Sequence, residues 1–285
     1  MNWFPLAVIT AIALATADAL SKKTLQNTED AVIVWVREGY ALPFLAVGFL
    51  FIPLPPLDAT FWLAVAGLLP LEITALVLYV KAIRASPLSL SVPFMALSPV
   101  FILFFAFVVL GETPSTTGLA GIGLIVAGAY LLNASAGSEG VLGPIRAAIR
   151  EKGAVLMAVV SFIYALTSTI GKVAVEHSSP VFFGFFYPFI LTMIMTVYLA
   201  SRGKLRLVFS RPRSFLLIGL FTSTMIITHF LAISLAQVAL VISVKRTSLI
   251  WSVLYGALLF KETNIKERLL GSAVMAGGVA LIALS

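Results

Sequence analysis

The stretch Val109-Leu110-Gly111-Glu112-Thr113, with Gly121 and Gly128 downstream, returns 150 residues later as Leu259-Phe260-Lys261-Glu262-Thr263, with Gly271 and Gly278. The same offset lays Ala82-Ile83 on Ala232-Ile233, Leu90 on Leu240 and Ser98 on Ser248, without a gap. Identical residues at one fixed offset, Glu-Thr and Gly pairs among them, set this apart from chance likeness between apolar segments. The chain is a tandem repeat. In each half the two glycines are seven residues apart, two helical turns, and share one helix face. Small residues on a shared face let helix backbones approach closely, which is how helices associate inside lipid.

The composition says where such helices sit. Only 11% of the 285 residues are charged and 60% are apolar, with a mean hydropathy of +1.08. Soluble domains carry about 25% charged residues. A single water-soluble core cannot hide this many apolar side chains. With no Cys, disulfides and Cys-based metal sites are excluded. The net charge of +7 suggests nucleic acid until the cations are placed. They stand between long apolar runs, which reads as membrane topology, so no nucleic-acid partner is expected. Ala15-Thr16-Ala17 looks like a signal-peptidase site, but Met1-Asn2-Trp3-Phe4 supplies no cationic region before it, so the first segment reads as a retained helix.

About 20 apolar residues cross the hydrocarbon layer as a helix. The runs 3–23, 31–52, 59–80, 87–110, 115–133, 153–173, 180–201, 214–235, 237–260 and 266–284 meet that length. They are too long and too uniformly apolar for barrel strands. The expected fold is an all-α membrane protein of ten transmembrane helices. Residues 1–133 form the first repeat, 134–152 a linker with room for a short amphipathic helix, and 153–285 the second repeat. Five spans per half make the halves enter from opposite sides, an inverted repeat of the kind common among secondary transporters. Such proteins hold solute near the midplane, between the halves.

The ends of the two halves, Gly111-Glu112-Thr113 with Gly121 and Gly128 and Lys261-Glu262-Thr263 with Gly271 and Gly278, resemble the hallmark of the EamA domain. Lys22 or Lys23 at the end of the first span, and Arg37 in the second, are similar to that domain too. The resemblance covers nearly the whole chain as two EamA repeats. It implies the drug/metabolite transporter superfamily, a central pocket and alternating access, with substrates from amino acids and sugars to organic phosphates and drugs.

Polar residues within the spans point to the site, because an ionisable group at the bilayer centre is costly unless it meets a cavity or a partner. Lys245 and Arg246 lie about 13 Å into the ninth span, beside Thr247 and Ser248. Arg offers a planar fork to carboxylate or phosphate and Lys a point charge, so the pair reads as an anion site or as an ion pair pinning two helices. It also resembles the Lys-Arg pair in the ninth helix of plastid triose-phosphate translocators, which binds substrate phosphate. Met95 occupies the symmetry position of Lys245, so a second clamp is not expected. Glu72, mid-span, is a counter-charge for those cations, a fixed salt bridge or a proton site. Asp18 and Arg37 are expected to pair structurally. His229 and its symmetry mate Tyr79 are candidates to project polar tips into the cavity, with Trp251, Tyr255 and Tyr187 as lining. Pro93 and Pro99 should kink the fourth span.

The spans contain no nucleotide loop, metal cluster or nucleophile–base pair. The reading is therefore not an enzyme, without cofactors, and driven by a gradient or exchange. The expected function is secondary transport or export of a small anionic or zwitterionic metabolite. Export of neutral or cationic drugs, or a non-transporting accessory role, are the alternatives. The expected location is multi-pass in a prokaryotic inner membrane, and monomer and homodimer both stay open. Fifteen of the 19 Lys and Arg residues fall in loops after odd-numbered spans, and Lys172 is the one opposite them. The positive-inside rule puts that side in the cytoplasm and both termini outside. The family resemblance implies cytoplasmic termini.

Overall fold

The computed structural model describes residues 2–49, 54–110, 115–135, 142–236 and 238–284. The helices are α1 (Trp3–Leu25), α2 (Asp30–Gly39), α3 (Leu42–Phe49), α4 (Ala59–Ala85), α5 (Leu88–Ser91), α6 (Leu97–Leu110) and α7 (Thr116–Leu131) in the first half. Then come α8 (Gly143–Arg150), α9 (Lys152–Glu176), α10 (Pro180–Ser201), α11 (Pro212–Leu235), α12 (Val238–Lys245), α13 (Ser248–Phe260) and α14 (Ile265–Ala283). There is no strand among the described residues. Asp58 caps α4 by accepting the backbone N–H of Phe61 at 2.9 Å. Ser179 caps α10 in the same way, accepting the N–H of Phe182 at 3.2 Å. Each satisfies a donor that the first turn of a helix leaves free. Trp3–Leu25, Ala59–Ala85, Pro180–Ser201 and Pro212–Ala232 are long and apolar enough to cross a membrane, by length and composition. Their outer faces carry exposed Leu63, Val197 and Leu217, as lipid-facing surfaces do.

The structure departs from the expected spans in three places. Run 31–52 is divided at Tyr40-Ala41 into α2 and α3. Run 87–110 is interrupted by a 3-10 turn over Val92–Ala96, which contains Pro93 and so meets the expectation of a kink there. Run 237–260 breaks at Arg246-Thr247, where no proline stands. There N–H groups reach back three residues instead of four, as Thr247 does to Val244 and Leu249 to Arg246. The linker holds α8, whose Ile145 and Ile149 are exposed, as is Leu142 just before it. Residues 136–141 of the linker, and Glu112-Thr113 of the hallmark, lie outside the described residues.

The repeat offset makes α9, α11 and α14 the counterparts of α1, α4 and α7. Packing follows it: α1 lies on α11, its counterpart α9 on α4, and α7 on α14. The α7–α14 crossing shows the relative direction. A Cβ built on Gly121 would meet the Gly278 carbonyl at 2.7 Å, and one on Gly128 the Gly271 carbonyl at 2.6 Å. Rising numbers on α7 meet falling numbers on α14, so the counterpart helices are antiparallel. The main core lies between the halves and draws on both, with Ile33, Ile83 and Ile125 from one and Met157, Leu191 and Leu249 from the other.

Candidate solute site between the halves

Two kinds of polar residue occupy the interior. The first kind is closed on itself. Arg37 Nη1 donates to Asp18 Oδ1 at 2.7 Å and to Ser21 Oγ at 3.3 Å, and all three residues are buried. The Tyr79 hydroxyl donates to the other Asp18 oxygen at 2.5 Å, and the Arg37 guanidinium lies 5.3 Å from the Tyr79 ring centroid. This triad ties α1, α2 and α4 together and gives each Asp18 oxygen a protein partner. Tyr79, expected to offer its tip to the cavity, instead spends its hydroxyl inside the triad.

The second kind is open. Lys245 ends α12 at the second-half helix break, and among the described residues nothing hydrogen-bonds or ion-pairs with its ammonium. Glu72, Asp18 and Arg246 act on it only through charge. Arg246 donates one hydrogen bond across the halves, to Ser98 Oγ at 3.2 Å, while its Nε is buried without a partner. Ser98 is the counterpart of Ser248, which is itself buried at the start of α13. His229 Nδ1, Tyr187 Oη, Thr222 Oγ1 and Ser252 Oγ are also buried without partners, and both Lys245 and Arg246 act on His229 through charge. Buried polar atoms in native proteins nearly always find a partner, so each of these atoms is a candidate contact for a ligand. Tyr255 is not among them, because its hydroxyl pairs with Thr16 Oγ1 at 2.8 Å.

Glu72 is half-buried on α4, with Thr167 of α9 as hydrogen-bond partner and no ion pair among the described residues. Among the described residues it thus forms no salt bridge, with Lys245 or with another cation. Beside it is a group that the sequence reading missed, Glu38, which is buried next to Arg37 and interacts with Glu72 through charge. Its signal is a second charge in an apolar run, directly after Arg37. Where the second half has Lys245 the first has Met95, packed against Ser161 of α9, whose hydroxyl donates to the Phe94 carbonyl within the 3-10 turn.

The hallmark of the second half has a structural task. Glu262 accepts the N–H groups of Leu88 at 2.7 Å and Ser89 at 3.0 Å, at the start of α5 in the opposite half. Arg268 holds Ser89 Oγ at 2.6 Å and lies 3.7 Å from the Glu262 carboxylate. Lys22 donates to the carbonyls of Ile83 and Ser86 at the end of α4.

The fold is that of a helical membrane protein built from two repeats. The chain belongs to the EamA-like transporter family, whose model matches residues 1–134 and again 151–284. Among solved structures, one crystal structure of a protein 15% identical in sequence covers 99% of this chain and 95% of its own, with a TM-score of 0.62. That likeness speaks for the fold alone. No curated protein matches the chain.

Proposed function

We propose that the protein is a secondary transporter of ten spans in two inverted five-helix repeats, carrying a small anionic or zwitterionic metabolite through the polar chamber between them. The observation that carries this reading is Lys245, an ammonium at a helix break inside the bundle with no partner among the described residues. A charge within the membrane that no hydrogen bond or ion pair holds is by default a ligand or ion-path residue. Arg246 supplies further donors for the same carboxylate or phosphate. Glu72 and Glu38, without ion pairs among the described residues, suit an ammonium group, which favours zwitterions. His229 and Ser248 complete the polar wall. Broken helices supply such sites in secondary transporters, and rocking of the halves about them gives alternating access. A prokaryotic inner membrane suits this reading.

The test is a thermal-shift screen of the purified protein against amino acids, organic acids and organic phosphates, since a ligand of the folded state raises the melting temperature. Lys245→Ala should weaken binding of the hit by about 10- to 100-fold, as expected for losing a hydrogen bond to a charged group. Unchanged affinity in both Lys245→Ala and Arg246→Ala would overturn the assignment.

A further inference from the structure

An open cavity lies away from Lys245 and Arg246. It is a cleft of about 560 Å³ between the start of α2, the second half of α4 and the far end of α10. Ile73, Val77 and Lys81 lie on one face of α4 at intervals of four residues. By the helical rise they make a stripe about 12 Å long. Ile194 and Tyr198 of α10 form the opposite wall, and both belong to that helix's exposed, lipid-facing surface together with Met193 and Val197. The cleft thus begins at mid-span and rises, apolar on both sides, to the end of α4 where the cations gather.

Charge at its mouth is nearly settled, with one exception. Glu29 is paired with Lys204 at 2.7 Å and Asp30 with Arg84 at 2.5 Å, so both acids are compensated. Arg84 is further held by the Thr28 carbonyl. Lys81 is exposed and, among the described residues, has neither a hydrogen bond nor an ion pair. The mouth is left with one uncommitted positive charge above an apolar slot. An acyl chain fits the slot and an anionic headgroup fits the charge.

We propose that this cleft binds an anionic phospholipid, with one chain between α4 and α10 and its phosphate on Lys81. A basic residue at the surface of an anionic leaflet favours anionic lipid by about fivefold. The lipid would brace α2 against both neighbours, independently of what the chamber carries. The test is native mass spectrometry of the purified protein with dioleoyl phosphatidylglycerol and dioleoyl phosphatidylcholine. The wild type should retain phosphatidylglycerol about fivefold better, with a matching rise in melting temperature that inorganic phosphate does not reproduce. Lys81→Gln should bring the two lipids to parity, and Lys81→Arg should restore the preference. Ile194→Trp, which fills the slot, should reduce retention of both lipids, while Lys266→Gln at another exposed site should change nothing. A phosphatidylglycerol preference that survives in Lys81→Gln, or an equal effect of inorganic phosphate, would overturn the proposal.

Discussion

Asp18 and Lys245 are both charges inside a membrane bundle, and they should answer mutation in opposite ways. Asp18→Asn leaves the buried Arg37 without its counter-ion, and breaking such a pair costs about 3–5 kcal/mol. The melting temperature in detergent should fall steeply. Lys245→Met removes a cation that no described protein group satisfies, so the melting temperature should hold or rise while the ligand-induced shift disappears. That is the usual exchange between stability and function at a site. Outside the spans, Asp58 caps α4, and the Phe61 N–H and then His177, 2.7 Å away, hold its carboxyl below the ordinary 3.8. A depressed folded value adds stability that is full above the ordinary value and is lost as the pH falls below it. The difference in melting temperature between wild type and Asp58→Ala should shrink on acidification through that window; a constant gap would refute the assignment. The sequence showed every one of these charges but not which were committed. Commitment depends on partners brought by folding: Asp18 finds Tyr79 across 61 residues, and no local spacing announces that.

At the scale of elements, the paired glycines were the most legible feature, because a bare helix face has few other uses in lipid. The crossing gives them a sharp test. Gly128→Val must push a side chain into the Gly271 carbonyl and the Met275 backbone nitrogen, neither of which can step aside. Such overpacking costs about 1–3 kcal/mol. Gly123→Ala and Gly277→Ala on the same two helices meet nothing within 4 Å. They should leave stability level or slightly higher. If all three substitutions behave alike, the crossing is wrong. Glu262 was legible as a signature but not as a cap, because the N–H groups it receives lie 174 and 173 residues away. Its position is set by Lys261 and Asn264, both left-handed at φ 53° and 59°. Side chains seldom adopt that conformation. Helix breaks divide in the same way. Pro93 announced one, whereas the break at Arg246-Thr247 has no proline and no local signal in the sequence.

For the whole molecule, hydropathy located nearly all the helical mass, and the repeat offset gave its symmetry. What neither supplied was the pairing of helices, since α1 on α11 and α4 on α9 are set by side-chain fit and not by order along the chain. The ends of α1 and α4 and the start of α9 meet at one end of the bundle, where Lys22 and Gly153 are bonded to Ser86. Lys81, Arg84, Arg150 and Lys152 follow to that end, so the charge bias belongs to one face of the protein. That face should be cytoplasmic. A reporter fused at Ser285 that works only outside the cytoplasm should then be active, and an inactive one would reverse the orientation. The close crossing of α7 and α14 carries a consequence of another kind. Its two helices, like the other chief contacts, come from opposite halves, so the covalent join between them contributes little to what holds the protein together. The two halves should therefore associate without it. Residues 1–135 and 142–285, made as separate polypeptides in the same cell, should find each other and co-purify, whereas each made alone should be degraded.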